Sequence, residues 1–219
     1  MSKPPVIAVD GPAAAGKGTL ARRLARTLDL PYLDTGLLYR AVGRRVLDAD
    51  ANPNDAAAAE AAARSLTPSD LDRRDLRGPP ADNAASTVAA IPAVRSALLE
   101  FQRGFAVERG AVLDGRDIGT VIFPDASVKL FVTASVEERA RRRWAELQAH
   151  GESVPLAQVE AELRERDDRD AARATAPLRS ADNAIVLDTT NLDADAAFRA
   201  ALDVVRARLL ASAEEVTTK

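Results

Sequence analysis

The stretch that decides the fold is Val6–Leu28, "VIAVDGPAAAGKGTLARRLARTL". An apolar run leads into a glycine-containing loop, and a helical pattern follows. A phosphate-binding loop (P-loop) requires this order, because backbone N–H groups and a helix N-terminus then surround an anion. The pattern is almost G-x-x-x-x-G-K-[ST], but Gly18 follows Lys17 and the first hydroxyl comes one place later, at Thr19.

The loop is therefore predicted to hold a nucleoside triphosphate, with Lys17 reaching its β- and γ-phosphates. The alternative is a merely tight strand–helix turn. In the ordinary pattern the hydroxyl directly after the lysine ligates magnesium. Because Gly18 stands there, we assign no direct metal ligand: Mg²⁺ would be carried by the triphosphate and lie near Thr19 and Asp114. The predicted phosphate-binding residues are Gly11, Pro12, Ala13, Ala14, Ala15, Gly16, Lys17, Gly18 and Thr19.

Composition and charge exclude several classes of protein. The 219 residues are 47% hydrophobic and 29% charged, which is ordinary for a soluble globular chain. No apolar run reaches the ~18 residues of a membrane span, and the first residues lack a signal-peptide pattern. There are no cysteines, and the net charge of −3 argues against a general nucleic-acid binder. We expect a monomer, since no apolar heptad seam appears. We also expect a cytoplasmic protein with no nucleic-acid or membrane partner.

Apolar runs alternate with helical patterns along the chain. This alternation predicts an α/β fold, in which right-handed crossovers build a central parallel sheet flanked by helices. Ligands of such sheets bind outside the carboxyl ends of the strands. The predicted strands are Val6–Val9, Tyr32–Leu33, Ala111–Leu113, Val128–Val132 and Ile185–Leu187, and the predicted helices are Gly18–Leu28, Leu37–Leu47, Val94–Val107, Val136–Leu147, Leu156–Arg173 and Ala194–Leu210.

Two segments interrupt this alternation and are predicted to be inserts over the sheet. Residues 50–90 are rich in alanine, proline and aspartate, contain the breaker "RGPPADN" at 77–83, and predict short helices joined by loops. Residues 150–180 begin with "HGESVP" and continue as a highly charged helix, which predicts a mobile lid. The core would then comprise residues 1–49, 91–149 and 181–219 of one chain.

Charged residues follow two further strands. "LDTGLLYR" (Leu33–Arg40) and "VLDGRDIGTVIFP" (Val112–Pro124) begin at strand ends, where they would meet the P-loop. Asp114 is predicted to orient magnesium or its waters, with a helix or turn cap as the alternative. Arg116 would have either an anion or the neighbouring carboxylates as its partner.

A third motif, "RERDDRDAARATAPL" (164–178), places basic side chains on one helix face. Arg166, Arg169, Asp170 and Arg173 fall at i, i+3, i+4 and i+7. The alternative is a solvated face with local ion pairs. Facing a phosphate site, such a helix could close over two polyphosphates and neutralise charge in the transition state.

The reaction indicated by these residues needs no general base. His150 is the only histidine and lies in a polar loop, whereas a phosphate monoester is already anionic near pH 7 because its second pKa is about 6. Alignment and charge neutralisation then suffice. The candidate catalytic residues are Lys17, Asp114, Arg116, Arg166 and Arg169.

Taken together, the motifs resemble those of bacterial cytidylate kinases over nearly the whole chain. The matching stretches, in the family's order, are "DGPAAAGKGT", "LDTGLLYRA", "NAASTVAAIPAVR", "LDGRDIGTVIFPDA", "ERDDRDAARATAPL" and "LDTTNL". The resemblance implies a P-loop kinase core with a monophosphate-binding insert and a short lid. It also implies ATP-dependent phosphorylation of CMP and dCMP to the diphosphates, with Mg²⁺ accompanying ATP.

The resemblance further assigns the acceptor pocket. It places Lys17 on the transferred phosphate and implies that the base, ribose and phosphate of CMP are contacted by Asp34, Thr35, Arg40, Ser86, Arg95, Arg116, Asp117, Arg166, Asp170 and Arg173. Arg40, Arg116 and Arg166 would hold the CMP phosphate. The chain departs from many members of the family in residues 50–90, which are shorter and lack alternating strand patterns.

Two alternatives stay open from the residues. One is a kinase for another monophosphate, such as UMP or AMP. The other is a regulatory P-loop protein that binds nucleotide and switches. The second predicts a guanine-reading N-K-x-D element, but "DTTNLDAD" (188–195) lacks the lysine.

Overall fold

A computed structural model describes residues 4–217, in which five strands form one sheet of order β2-β3-β1-β4-β5. Every neighbouring pair is parallel, as predicted. Parallel strands buried on both faces need near-continuous apolar runs, and all five residues of "VIAVD" are buried. The strands are β1 (Val6–Asp10), β2 (Tyr32–Asp34), β3 (Ala111–Gly115), β4 (Val128–Thr133) and β5 (Ile185–Asp188).

Helices cover both faces of the sheet. They are α1 (Lys17–Leu28), α2 (Thr35–Asp48), α3 (Ala56–Arg64), α4 (Pro68–Leu71), α5 (Pro79–Val88), α6 (Pro92–Gly104), the π-helix Ile118–Ile122, α7 (Val136–Ala149), α8 (Leu156–Ala171) and α9 (Ala194–Thr217). Alternate side chains of β1 enter different cores. Ile7 and Val9 pack with α1 and α9, whereas Val6 and Ala8 pack with the π-helix.

The helical patterns are confirmed with shifted ends. α8 ends at Ala171, so Arg173 lies beyond the helix and the predicted i+7 placement of its side chain is wrong. The breaker at 77–83 is only partly a loop, because α5 begins at Pro79. Proline fits the first helical turn, where its missing N–H costs nothing. The π-helix that follows β3 was not predicted.

Residues 50–90 form short helices, which pack on the core as well as on each other. Val46 of α2, Ala59 of α3, Val88 of α5 and Leu98 of α6 belong to one buried apolar cluster. Arg45 of α2 also donates to Asp70 at 2.9 Å. The helices of this insert are therefore fixed against α2, the helix that follows the second strand.

Among the helices of residues 4–217, no single one is both long and apolar enough to cross a bilayer. Helices α5 and α6 reach that length and apolarity only together, and the pair is bent by 98°.

The contact between α2 and α5 gives a test of this packing. A Cβ at Gly43 would lie 2.8 Å from the Cβ of Ala84, with the backbone of α5 at 3.0 Å, so Gly43→Ala must push the helices apart. We expect a loss of about 1–3 kcal/mol in the free energy of unfolding, measured by urea denaturation. Gly104→Ala is the matched control, because among the described residues no atom beyond its chain neighbours and its own helix backbone lies within 4 Å of the added Cβ, and it should be neutral or stabilising by up to about 1 kcal/mol. Equal stabilities for the two variants would contradict this packing.

Candidate active site

The P-loop connects β1 with α1 through a backbone that only certain residues adopt. Gly16 has φ 84° and Ala14 has φ 58°, both in the left-handed region. A Cβ at Gly11 would collide with the carbonyl of Val132. No side chain caps the N-terminus of α1, so its first N–H groups are available to an anion.

Lys17 opens α1 and lies in a strongly electropositive environment. Its Nζ donates to the carbonyl of Pro12 at 3.3 Å. Burial, and then the charge of Arg116, lower the pKa of Lys17 to about 7, although Asp114 opposes the shift. A phosphate group beside Lys17 would favour its charged form, because opposite charges stabilise each other most where water is excluded.

Asp114, at the end of β3, faces the start of α1. It is paired in register with Asp34 of β2. One carboxylate oxygen accepts from the Tyr32 hydroxyl at 2.7 Å, and the other faces Gly18 at the start of α1. Burial and the charge of Asp34 raise the pKa of Asp114. The carboxylate is therefore held beside the P-loop, where a cation would favour its ionised form.

Asp10 joins the P-loop to the segment after β3. It is 5% exposed and is the last residue of β1. Its two oxygens accept from the N–H groups of Ile118 and Gly119, both at 2.8 Å. Burial raises the pKa of Asp10 to about 6, and these hydrogen bonds oppose the shift. The beginning of the π-helix is thus tied to the end of β1.

A buried ion pair, Arg95 with Asp117, forms the deep end of the site. Each side chain is 7% exposed. Burial raises the pKa of Asp117, against the charges of Arg95 and Arg173. The guanidinium of Arg95 also lies 5.7 Å from the ring centroid of Tyr39. This end of the site therefore contains the aromatic ring of Tyr39, a guanidinium that can donate hydrogen bonds and a carboxylate that can accept them.

Asp170 of α8 connects three parts of the chain. It accepts from Arg116 Nε at 2.9 Å, from Arg173 and from Ser86 Oγ at 3.5 Å. Burial alone would raise its pKa, but the charges of Arg116 and Arg173 outweigh burial and lower it. Asp170 is therefore an ionised carboxylate that holds α8 against α5 and the segment after β3.

The guanidiniums of Arg40, Arg116 and Arg166 line the same part of the protein as Lys17 and Asp170. Arg40 donates to Asp34 at 2.8 Å. Burial and the charge of Arg116 lower the pKa of Arg166 to about 10, and Arg40 adds to this effect. The Nε of Arg166 is buried and has no hydrogen-bond partner among residues 4–217. Like charges held this close are unfavourable unless an anion lies between them, so the arrangement indicates a phosphate site.

These side chains line one cavity of about 320 Å³. It contains most of the residues that the sequence singled out: Ala13, Ala14, Gly16, Lys17, Gly18, Thr19, Asp34, Thr35, Arg40, Ser86, Arg95, Asp114, Arg116, Asp117, Arg166, Asp170 and Arg173. Gly11, Pro12 and Ala15 belong to the P-loop but do not line this cavity. The carboxyl ends of β2 and β3 thus bring together segments far apart in the chain, as the parallel sheet predicts.

Arg169 is the candidate catalytic residue that the structure does not bring to the cavity. Its side chain is 42% exposed and lies 3.5 Å from Glu165. Asp170, the next residue, faces the cavity, and consecutive helical residues differ by about 100° around the axis. The predicted helix face therefore holds for Arg166 and Asp170 but not for Arg169.

Several cavity residues escaped the prediction, among them Tyr39, Asp82 and Arg143. Tyr39 lies within "LDTGLLYR", but nothing in that motif indicated a role for its side chain. Arg143 of α7 donates to Asp82 of α5 at 2.6 Å, and both line the cavity. The run "EERARRR" (137–143) signalled arginines on this helix, but a charged run alone does not say which ones face inward.

A second cavity, of about 470 Å³, lies on the other side of the P-loop. It shares Ala14, Gly16, Thr19, Arg143 and Glu146 with the first. Its other walls are α7 and the segment between β5 and α9, which supply Arg142, Thr189 and Leu192. Both volumes are in the usual range for small-molecule sites, and the two cavities meet at the phosphate-binding loop.

Within residues 4–217, no group of three or more His, Cys, Asp or Glu side chains is arranged to hold a metal ion.

The fold and this site define a P-loop kinase: a parallel sheet, a P-loop and an arginine-lined cavity beside it. A model of the family described as cytidylate kinase matches residues 7–207. The chain is 62% identical to "Cytidylate kinase" of Acidiphilium cryptum (strain JF-5), over 94% of this chain and 97% of that one. It is 63% identical to "Cytidylate kinase" of Granulibacter bethesdensis (strain ATCC BAA-1260 / CGDNIH1), over 92% and 96%. The chain belongs to the cytidylate kinase family.

Solved structures support the fold alone. A gluconokinase from Sinorhizobium meliloti 1021 matches with a TM-score of 0.51 at 16% identity, over 100% of this chain and 98% of that one. The protein TT1252 from Thermus thermophilus matches with a TM-score of 0.50 at 24% identity, over 95% and 99%.

Lys17 gives a test of the site's electrostatics. Lys17→Met removes a buried charge, so the ligand-free variant should unfold a few degrees above the parent near neutral pH. The pKa of Lys17 is about 7 in the folded protein, whereas the ordinary value for lysine is 10.5. Between these two pH values only the unfolded chain keeps the proton on Lys17. The folded state of the parent protein therefore gains stability as pH rises through this range. In calorimetric scans the variant's advantage should therefore shrink from about pH 6.5 to about pH 9. An advantage that does not change with pH would contradict the lowered pKa.

Proposed function

We infer that this protein transfers the γ-phosphoryl group of ATP to CMP and dCMP, giving CDP and dCDP. Membership of the cytidylate kinase family supports this activity. The observation that carries it in the structure is the meeting of two cavities at one P-loop. A donor in one cavity and an acceptor in the other would present their phosphates to each other beside Lys17, as direct transfer requires.

We assign the donor to the P-loop and the second cavity. The backbone N–H groups of Gly11–Thr19 would bind the ATP phosphates, with Lys17 on the transferred group. The adenosine end would lie in the second cavity, which continues from Gly16 and Thr19 along α7. Arg143 borders both cavities and is proposed to contact the phosphates at their junction.

The residues present fit magnesium carried by ATP. Mg²⁺ is commonly bound by one or two carboxylates together with substrate phosphates and water. Asp114 has one oxygen facing Gly18, and Thr19 lines the same cavity. We propose that these two side chains lie near the ion. When bound, Mg²⁺ would neutralise charge on the transferred phosphoryl group.

We assign the CMP phosphate to Arg40, Arg116 and Arg166. The unpartnered Nε of Arg166 and the like charges around it support an anion at this point. These guanidiniums would align the acceptor oxygen with the donor and stabilise the charge of the transition state. Because a phosphate monoester is anionic near neutral pH, no side chain has to remove a proton.

We assign the cytosine ring to the deep end of the cavity. Arg95, Asp117 and Ser86 lie there beside the ring of Tyr39, on which a base can stack. Cytosine has an exocyclic amine that donates, whereas uracil has a carbonyl at the same position. A carboxylate such as Asp117 therefore prefers cytosine.

Asp170 is proposed to accept from the ribose, with Arg173 beside it and Asp34 and Thr35 lining the same cavity. A site rejects a substrate that lacks a hydroxyl when its own polar groups are left unpaired. Asp170 keeps Arg116 and Arg173 as partners without any ligand. This pairing supports the use of dCMP as well as CMP.

Two further assignments concern Arg169 and the oligomeric state. Arg169 would reach the phosphates only if α8 turns or shifts, as a lid could on closure. We propose a monomer, because the sequence carries no apolar heptad seam, and we propose that it works in the cytoplasm without nucleic acid or membrane. The domain limits 50–90 for the insert and 150–180 for the lid are part of the same proposal.

The direct test is ADP release from Mg·ATP with CMP, dCMP, UMP, AMP and GMP, each against a blank without acceptor. We expect turnover led by CMP and dCMP, because Asp117 and Arg95 define the base pocket. Turnover led by UMP or AMP would keep the kinase and overturn the base assignment. Equal hydrolysis in all tubes, the blank included, would overturn the acceptor site and favour a nucleotide-binding regulator.

Arg116→Ala tests the acceptor arginines. Loss of a charge-stabilising donor should lower kcat/KM for CMP by about 100-fold or more, while the KM for ATP changes little because Arg116 lies outside the P-loop. Arg141→Ala on α7 is the control, since Arg141 is 65% exposed and its ion pair within the described residues is with Glu138 on the same helix. Unchanged CMP kinetics in Arg116→Ala would remove this residue from the acceptor site.

A further inference from the structure

Arg139, in the first turns of α7, contacts three separate segments through one buried guanidinium. The residue is 5% exposed. Its Nε donates to the carbonyl of Ala134 at 3.0 Å, and a terminal nitrogen donates to the carbonyl of Ala13 at 3.2 Å. The other terminal nitrogen donates to Asp167 of α8 at 2.6 Å. Arg139 therefore joins the end of β4, the P-loop and the lid helix.

The P-loop also packs against the lid helices through Ala13. The Ala13 side chain belongs to a buried apolar cluster with Ala140 and Leu147 of α7 and with Val159 and Leu163 of α8. The phosphate-binding loop is therefore in direct contact with the two helices that follow β4. The hydrogen bond from Arg139 fixes the Ala13 carbonyl within this contact.

Asp167 stands next to the cavity residue Arg166 on α8 but does not line either cavity itself. One carboxylate oxygen binds Arg139, and the other is buried without a hydrogen-bond partner. The ion pair with Arg139 is thus the interaction that compensates the Asp167 charge. Since adjacent residues on a helix move together, this pair sets where α8 presents Arg166.

We propose that Arg139 and Asp167 are positioning residues, which hold Arg166 at a fixed place relative to the P-loop. This inference rests on the proposed function, in which Arg166 binds the acceptor phosphate. Neither residue touches the cavities, so both act through others: Arg139 through the Ala13 carbonyl and Asp167 through Arg166. A displacement of about 1 Å at a reacting group costs up to about 100-fold in rate.

The same contact couples the two substrates. A triphosphate that fixes the P-loop backbone also fixes the carbonyl to which Arg139 donates, and hence the position of α8. A nonhydrolysable ATP analogue should therefore tighten CMP binding to the parent protein. By linkage, CMP tightens binding of the analogue by the same factor.

The experiment compares two ion pairs that both join α8 to α7. Asp167→Asn removes the charge that binds Arg139. Arg164→Gln is the matched control, because Arg164 reaches Glu137 of α7 at 3.0 Å and Glu160 at 2.7 Å on the exposed surface, away from the P-loop. For both variants, kcat, the KM of each substrate, the melting temperature, and CMP affinity with and without the ATP analogue are measured.

For Asp167→Asn we expect kcat to fall about 10-fold or more, the KM for ATP to stay within about twofold, and the effect of the analogue on CMP affinity to disappear. Asp167→Glu, which keeps the carboxylate, should recover part of both losses. Arg164→Gln should behave as the parent. A lower melting temperature for Asp167→Asn with parental kcat and parental coupling would overturn the proposal, as would equal losses in the control.

Failure of this inference is distinguishable from failure of the proposed function. If the parent protein phosphorylates no monophosphate, the proposed function fails on the parent alone. If the parent uses CMP and Asp167→Asn matches it in kcat and in coupling, only the positioning role fails.

Discussion

The site depends on one constraint: the end of β1 is held beside the segment that follows β3. Parallel pairing of these strands aligns Asp10 with Gly115, and the Asp10 carboxylate then binds the N–H groups of Ile118 and Gly119. The P-loop begins one residue after Asp10, and Arg116 and Asp117 precede the bound N–H groups. One buried carboxylate therefore fixes the start of the P-loop against the segment that carries Arg116 and Asp117.

Elsewhere in the site, arginines form ion pairs with carboxylates that belong to the same site. Arg40 pairs with Asp34, Arg95 with Asp117, and Arg116 with Asp170. Isolated buried guanidiniums would be costly, and these pairs hold the donors in place before any ligand arrives. Substrate phosphates then meet an oriented set of charges, which is the form of electrostatic catalysis that needs least rearrangement.

The sheet, the P-loop and the charged residues at the strand ends could be predicted because they rest on local signals, whereas Ser86 and Arg95 were expected in the pocket only from the family resemblance. Short apolar runs marked the strands, and polar residues directly after them marked the edge where ligands bind. The π-helix escaped because tertiary hydrogen bonds to Asp10 stabilise its start, and no pattern within "DIGTVIF" shows them. Arg169 was misplaced because a 100° step along the helix decides which side chains face inward. Arg173 lines the cavity as expected, but from beyond the end of α8 and not from the helix. Arg143 was missed because its partner, Asp82, is 61 residues away.

The central claim is that two cavities meeting at the P-loop form one site for two nucleotides. It is tested most directly by calorimetric titration with a ligand in which adenosine and cytidine are joined by a polyphosphate bridge. The account predicts one molecule bound per chain, tighter than either nucleotide alone, with binding abolished in competition by ATP and weakened by CMP. Binding that only ATP opposes, and CMP leaves unchanged, would contradict it.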